Sequence, residues 1–203
     1  MYYLVRKENL VLIGRPREFD FDKALDAALK VFWRKGYEGA TLPDLTRAMG
    51  INRPSLYAAF GNKEALFRRA IDRYVEGPAS HVLEALLEPT ARAVVRRLWS
   101  GGIELTTGSP RGCFLVQSAL ACGDDADRVR REVSKRRTRL EVSLRERFER
   151  AVSEGDLPSS ADPADLARYA ATVAHGIAVQ AVGGATHDEL QRVAEMALSA
   201  WPK

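Results

Sequence analysis

The chain has 203 residues, 46% of them hydrophobic and 29% charged, which indicates a folded globular protein of one or two domains. No stretch approaches the roughly 18 consecutive apolar residues that a membrane helix needs, and residues 1–14 lack the pattern of a secretory signal peptide. The net charge of +4 is unevenly distributed: residues 1–76 and 128–150 carry a basic excess, and the remaining residues carry an acidic excess. A regional basic excess suggests an anionic partner such as nucleic acid.

Helical periodicity dominates the first third of the chain, and strand signals are almost absent. In the first predicted helix, Phe21, Leu25, Leu29 and Phe32 recur on one face. Polar caps and glycine stops divide this region into four helices, with caps at Asp20 or Asp22, Thr41, Asn52 and Asn62 and stops at Gly36, Gly50, Gly61 and Gly77.

The remaining two thirds also predict only helices. The expected elements are one or two helices over 80–105 interrupted near Pro89, a loop over 106–112, a short helix over 113–121, a long helix from a cap at Asp124 to about Glu154, a helix over 163–182, and a last helix capped by Thr186. The predicted fold class is therefore all-α. We expect an N-terminal arm at 1–16, a helical domain at 17–76 and a second helical domain at 77–203.

The second and third helices are short and are joined by Gly50 and Ile51, which fits a helix-turn-helix. In such a unit the second helix enters the DNA major groove with its N-terminal residues at the base edges. Its outward positions here are Arg53, Pro54, Ser55, Tyr57 and Ala58. Arg53 can donate two hydrogen bonds to guanine, while Ser55 and Tyr57 can reach a phosphate or a base. The alternative is a structural hairpin in which Tyr57 packs and Arg53 is a surface charge.

Anion sites are also expected where the second and fourth helices begin, near Thr41 and Lys63, because exposed amides there attract phosphate. Arg15 and Arg17 precede the first helix and could enter a narrow minor groove, or they could belong to a disordered basic tail. The basic segment 128–150 predicts a solvated helix face, with an acidic protein or a membrane surface as the other partners it could bind.

Three motifs together resemble the N-terminal domain of TetR-type transcriptional regulators: GYEGAT at 36–41, AMGINRPSLY at 48–57 and FGNKEAL at 60–66. The resemblance covers about residues 17–70. It implies an all-helical homodimer that binds double-stranded operator DNA, with a larger domain for dimerisation and for an unidentified small-molecule effector that relieves repression.

The resemblance also carries over residue by residue. Thr41, Arg53, Ser55, Tyr57 and Lys63 match positions that usually touch DNA in the family. Two departures leave the operator sequence open. Ala58 and Ala59 stand where the family often has Tyr or His, so a contact there is limited to a methyl group against thymine, and Pro54 stands where Gly is frequent.

In the second domain, small and apolar residues line the helices at 163–182 and 187–200. Small residues allow close helix approach, and two such helices from each subunit can form a four-helix interface, which is the usual dimer surface of the family. The alternative is that both helices fill the core of one subunit.

A ligand pocket is expected in the same domain, with candidate residues that combine apolar walls and a few polar groups: Trp99, Leu105, Phe114, Gln117, Tyr169, Val173, His175 and Gln180. His175 could instead be a hydrogen-bonded core histidine. Cys113, close to Arg111, is a candidate redox-sensing thiol, although a free cysteine is commonly a small buried hydrophobe. Cys113 and Cys122 are too few for a disulfide framework, so we expect a cytoplasmic location.

Enzyme signatures are missing from the sequence, which has no nucleophile elbow, zinc-protease motif, phosphate-binding loop or dinucleotide fingerprint. His81, His175 and His187 have no metal-ligand spacing, so neither a metal nor a cofactor is expected. The predicted function is a sequence-specific DNA-binding regulator, most simply a repressor released by a small ligand. The alternatives are a helical small-molecule-binding adaptor and a thiol-based regulator that acts through Cys113.

Overall fold

The structure is a computed structural model that describes residues 19–108, 110, 112–120 and 127–202. Over these residues the chain forms the helices α1 (Phe21–Gly39), α2 (Leu42–Met49), α3 (Arg53–Phe60), α4 (Lys63–Glu76), α5 (His81–Leu86), α6 (Ala91–Thr107), α7 (Phe114–Leu120), α8 (Asp127–Ser153), α9 (Pro163–Val182) and α10 (His187–Ser199). The all-α prediction is confirmed. The expected arm at 1–16 and the cap at Asp124 lie outside the described residues.

The predicted caps form in the N-terminal helices. Asp20 accepts the amide of Lys23 at 3.1 Å, and Thr41 and Asp44 form a reciprocal capping box at the start of α2. The break expected at Gly36 is present, since its φ of 70° interrupts the helical path, but helical turns resume and carry α1 to Gly39. Local chemistry therefore places the helix starts where the sequence predicts them.

The turn between α2 and α3 requires a glycine. Gly50 has a φ of 67° and a ψ of 27°, the left-handed conformation that non-glycine residues rarely adopt. Asn52 follows and accepts the amide of Ser55 at 2.8 Å, which starts α3. Gly50 thus turns the chain between the two short helices, and Asn52 sets the direction in which α3 leaves.

The first hydrophobic core is aromatic and lies between α1, α4 and α7. Phe67 is fully buried and meets Phe32 and Phe114 edge-on, with ring centroids 5.1 and 5.4 Å apart. Leu45 of α2 and Leu56 of α3 anchor the two short helices on this core, each with no exposed surface. Burial of these side chains positions α3, because a helix of eight residues is marginal by itself.

The second core lies between α6, α8, α9 and α10. Trp99 is its largest buried side chain, with its indole N–H donated to the carbonyl of Ala170 at 3.0 Å. Trp201 closes the base of this core against Phe148, at a ring separation of 5.3 Å. α6 runs through the glycine pair at 101–102 and reaches Thr107, two residues beyond the predicted end, because the surrounding helices pack around it.

The two cores meet at the segment that leads into α7. The indole N–H of Trp33 donates to the carbonyl of Gly112 at 3.1 Å, and the Tyr74 hydroxyl donates to Cys113 Sγ at 3.2 Å. Phe114 of α7 is buried in the first core, together with Val129 and Val133 of α8. The proposed boundary at residue 77 matches the end of α4, but the first core continues into the second domain, and the domain limits stay a prediction.

None of the described helices has both the length and the apolar character needed to cross a membrane. Within the same residues, no group of three or more His, Cys, Asp or Glu side chains is placed to hold a metal ion.

Truncation of Phe67 tests the aromatic core. We expect Phe67→Ala to lower the free energy of unfolding by about 3–5 kcal/mol, because it leaves a cavity beside Phe32 and Phe114. Urea denaturation at one fixed protein concentration measures the change. The matched control is Leu87→Ala on the surface, where 84% of the residue is exposed and the expected change is within about 0.5 kcal/mol. Equal effects of the two changes would contradict the packing described here.

Candidate DNA-binding surface and ligand cavity

The outer face of α3 is open to solvent in this chain. Arg53, Pro54 and Ala58 are exposed, and 46% of Tyr57 is exposed. Ser55 is half-buried, with its amide held by the Asn52 side chain. These are the five outward positions that the sequence predicts, and on the opposite face Leu56 and Phe60 are buried. α3 therefore exposes a face with a basic group and hydroxyl groups, while its opposite face is held against the first core.

Thr41 and Lys63 flank this surface at the starts of α2 and α4. Thr41 is exposed, and its hydroxyl lies 2.7 Å from Asp44 Oδ2, within the capping box. The ammonium of Lys35 and the Thr41 hydroxyl together hold the pKa of Asp44 well below its usual range. The Thr41 hydroxyl is thus committed to the helix start, and a phosphate contact there would come mainly from the helix amides.

Lys63 lies against the end of α1 rather than pointing freely into solvent. Its ammonium is 3.4 Å from the Glu38 carbonyl and 4.6 Å from the centre of the Tyr37 ring. Partial burial lowers the pKa of Lys63 from its ordinary value. These contacts fix a cation beside the first turn of α4, where the helix amides add to its attraction for an anion.

Sequence reasoning missed Arg47, which is exposed in the last turn of α2 beside the Gly50 turn. Together with Pro43, Gly50 and Asn52 it lines a shallow groove next to the start of α3. An arginine in the last turn of α2, two residues before Met49, was the available signal. Arg15 and Arg17, the predicted minor-groove residues, lie outside the described residues.

A cavity of about 290 Å³ lies between α4, α5, α6, α7, α8 and α9. Its walls are largely apolar, and its polar lining is basic. The residues around it are Tyr74, Val75, Ala79, His81, Val82, Leu83, Leu86, Leu98, Gly102, Leu105, Thr106, Cys113, Leu115, Val116, Arg136, Arg137, Arg139, Leu140, Ser143, Ala174, His175 and Ala178. A volume near 300 Å³ is at the lower end for a small-molecule site.

The structure brings only part of the predicted pocket together. Leu105 and His175 line the cavity, and both side chains are half-buried. Burial and the nearby Arg137 guanidinium lower the pKa of His175 to about 4, so its ring is neutral at pH 7. Val173 and Gln180 face a separate, more open depression between α9 and α10.

The other expected wall residues lie elsewhere, and these assignments need correction. Trp99 and Phe114 are fully buried in the second and first cores, because their rings fill the space between helices. Tyr169 packs against Trp201 and donates its hydroxyl to the carbonyl of Ala197 at 3.1 Å, and Gln117 does not line this cavity. An aromatic residue in an apolar helix is thus more informative about packing than about a ligand.

The basic segment 128–150 is only partly a solvated face. Arg136 reaches across to Asp72 of α4, and Arg147 is 95% buried, with its guanidinium donating to the carbonyls of Glu88 and Pro89. Arg137 lines the cavity beside His175. The prediction of a wholly solvated face is therefore wrong for these three arginines, because neighbouring helices cover them.

Cys113 is half-buried at the wall of the cavity, where its sulfur accepts a hydrogen bond from Tyr74. Burial, above all, raises the pKa of the Tyr74 hydroxyl well above its usual value, so that group stays a donor. Arg111, expected beside the thiol, and Cys122 lie outside the described residues.

α9 and α10 form the predicted 163–182 and 187–200 helices, and their outer faces carry large apolar side chains. Val179, Val182, Val193 and Met196 are exposed in the single chain. The inner faces of the same helices, including Ala170 and Leu190, fill the second core. Both sequence interpretations of these helices therefore apply, since one face packs inside and the other is left uncovered.

Comparisons with known proteins agree with this architecture. The family model "Bacterial regulatory proteins, tetR family" matches residues 24–70, and "Tetracyclin repressor-like, C-terminal domain" matches residues 90–197. The HTH-type transcriptional repressor ComR of Escherichia coli (strain K12) is 31% identical over 94% of this chain and 92% of ComR. The HTH-type transcriptional repressor BdcR of the same strain is 33% identical over 56% of this chain and 59% of BdcR.

A solved structure of the TetR family transcriptional regulator CifR, a cysteine mutant complexed with 26bp double-strand operator DNA, superposes with a TM-score of 0.89 at 42% identity. The superposition covers 93% of this chain and all of that one. A TetR transcriptional regulator from Rhodococcus sp. RHA1 is 40% identical, with a TM-score of 0.62 over 89% of this chain and 98% of its own. With both family models matched along its length and a relative aligned nearly end to end, this chain belongs to the tetR family of bacterial regulatory proteins.

Proposed function

We propose that this protein is a dimeric transcriptional repressor that binds double-stranded operator DNA through α3 and is released when a small molecule occupies the cavity. The observation that carries the proposal is the open outer face of α3, with Arg53 and Tyr57 exposed on a helix whose other face is buried. Complexes of CifR with operator DNA support it, since that regulator shares the fold and 42% of its sequence with this chain.

On this proposal the protein makes two kinds of contact with DNA, one to the bases and one to the phosphate backbone. Arg53 reads a base, because its guanidinium can donate twice to guanine in the major groove. Ser55, Tyr57 and Lys63 fix the helix on the phosphate backbone, together with the amides at the starts of α2 and α4. Ala58 offers only a methyl group, which suits thymine.

The dimer places two such helices on one face of the DNA. The exposed apolar faces of α9 and α10 are the proposed contact between subunits, because side chains such as Val193 and Met196 are costly to leave in water. Two copies of α3 then need a spacing of about 34–36 Å to reach half-sites one helical turn apart.

On this proposal α4 couples the cavity to the distance between the two α3 helices. Lys63 begins α4 beside the DNA-binding face, and Tyr74 and Val75 at the other end line the cavity. A helix of 14 residues is a rod of about 21 Å, so a shift at Tyr74 moves the whole helix. A ligand that displaces Tyr74 would therefore change the separation of the two α3 helices and weaken operator binding.

The adaptor and the thiol-regulator alternatives are not favoured, because the chain matches transcriptional repressors over nearly its whole length. We further propose that the protein acts by binding alone, without catalysis, as the regulators of this family do. The cytoplasmic location stays a prediction.

Substitution of the DNA-facing cations separates base reading from phosphate binding. We expect Arg53→Ala to cost about 1–3 kcal/mol on the cognate operator and to relax base choice at one position in each half-site. Lys63→Ala should weaken binding to all sequences and lower the slope of log affinity against log salt by about one. Fluorescence anisotropy with an operator selected from random DNA, titrated with salt, measures both.

Arg150→Ala, in the last turn of α8, is the matched control, since it removes the same charge far from α3. It should leave operator affinity unchanged at equal salt. If the control weakens binding as much as Arg53→Ala does, the contacts come from general charge and the assignment to α3 is wrong.

Charges placed on the outer face of α10 test the dimer. We expect the double change Val193→Glu with Met196→Glu to raise the dimer dissociation constant by at least about tenfold, because two carboxylates would be desolvated at the interface. Sedimentation velocity measures the dissociation, and operator affinity should fall with it. Leu87→Glu, at the exposed residue that follows α5, is the control. A dimer that persists in the double variant places the interface elsewhere.

A further inference from the structure

The cavity carries positive charge with no acidic side chain among the described residues that line it. Arg136, Arg137 and Arg139 project from one face of α8, and His81 and His175 face them from α5 and α9. The rest of the lining is apolar or carries only hydroxyl and thiol groups. The availability of each arginine charge to a ligand depends on the partners that the arginine already has.

The charges of two of these arginines are already paired or screened by water. Arg136 is neutralised, with Nη2 2.5 Å from Asp72 Oδ1 and Nε 2.9 Å from Glu132 Oε1. Arg139 lies at the exposed rim, where water screens its charge. Neither presents an uncompensated charge to the interior of the cavity.

Arg137 is different, because it is half-buried and forms no ion pair with any described carboxylate. Its Nε is buried and has no hydrogen-bond acceptor in the part of the chain that the structure describes. Its Nη2 lies 3.4 Å from Nδ1 of His175, a weak contact to a neutral ring. Glu141, one turn along α8, pairs instead with Arg168 on the surface at 3.1 Å.

A partly buried guanidinium without a counter-ion among the described residues carries a desolvation cost, which folded proteins normally compensate. The geometry of a guanidinium matches a carboxylate, whose two oxygens accept parallel N–H donors from the same edge. A monocarboxylate carries one negative charge and so balances one guanidinium, whereas a phosphate monoester carries nearly two negative charges. The apolar walls, including Leu98, Leu105 and Leu140, suit a hydrocarbon body behind the charged head.

We propose that the effector is an amphipathic monocarboxylate, held by Arg137 with its apolar body against α5 and α6. The inference rests on the proposed function, since it names the ligand class of the same cavity. His175 orients the Arg137 side chain from the opposite wall. Tyr74 and Val75 border the same space, so the carboxylate's body would touch α4.

The test compares matched probes on the purified full-length chain. Octanoate and 4-phenylbutanoate are titrated by isothermal calorimetry, each against its neutral amide, octanamide and 4-phenylbutanamide. We expect at least one carboxylate to bind about tenfold or more tighter than its amide, the scale of a charge-assisted hydrogen bond. Arg137→Gln should abolish this preference and leave amide binding unchanged, while Arg139→Gln, the matched control, should keep it.

A merely structural role for Arg137 makes a different prediction. If its main task is to bridge α8 and α9 through His175, Arg137→Gln should lower the melting temperature. On our proposal the variant should be at least as stable as the wild type, because a partly buried charge without a counter-ion has been removed. Arg137→Lys should retain part of the carboxylate preference, since it keeps the charge and loses the paired donors.

Several results would overturn the inference: equal binding of acid and amide, no binding of either carboxylate, or a preserved preference in Arg137→Gln. The calorimetry contains no DNA, so its outcome is independent of the regulatory proposal. Operator release is measured separately by anisotropy. Carboxylate binding without release would leave the site standing and defeat the proposed effector role, and failure to bind any selected operator would defeat the proposed function alone.

Discussion

The structure depends on the aromatic contact that joins α1, α4 and α7. Trp33 meets Tyr74 edge-on at 4.9 Å, and Tyr74 meets Phe114 at 5.5 Å. Phe114 comes from the second domain, yet its ring is fully buried in the first core. The helix-turn-helix unit is therefore packed onto the second domain and not merely tethered to it. Packed aromatic rings tolerate little compression, which is why we propose α4 as the link between the cavity and the helix-turn-helix.

Two glycines allow close approaches that a side chain would block, one at this junction and one at the contact between α5 and α6. Gly112 has a φ of 82°, and a Cβ at this position would lie 2.4 Å from atoms of Gln117 and Val182. Its carbonyl is the acceptor for the Trp33 indole. At Gly101, a Cβ would lie 2.7 Å from the ring of His81, so the glycine lets α5 approach α6 closely at the cavity wall. Backbone close approach, rather than flexibility, explains both positions.

The basic excess of the chain divides into parts with different physical roles. On α3 and α4 it includes the exposed Arg53 and the half-buried Lys63, which we propose as contacts for operator DNA. On α8 it is partly buried, with Arg136 joining α8 to Asp72 of α4 and Arg147 tying the α5–α6 connection to α8. Charge density along the sequence does not distinguish these roles, since it carries no information on which neighbour covers a side chain.

The sequence by itself determined the all-helical class, the caps at Thr41, Asn52 and Asn62, and the outward face of α3, because these depend on interactions within a few residues of the chain. Only the tertiary structure decided which residues surround the cavity. Leu105 and His175 reach it, whereas Trp99 and Phe114 are buried in the cores and Arg137 supplies the unbalanced charge. The cavity is the space that six helices leave unfilled, and its walls depend on their mutual packing, which no local pattern encodes.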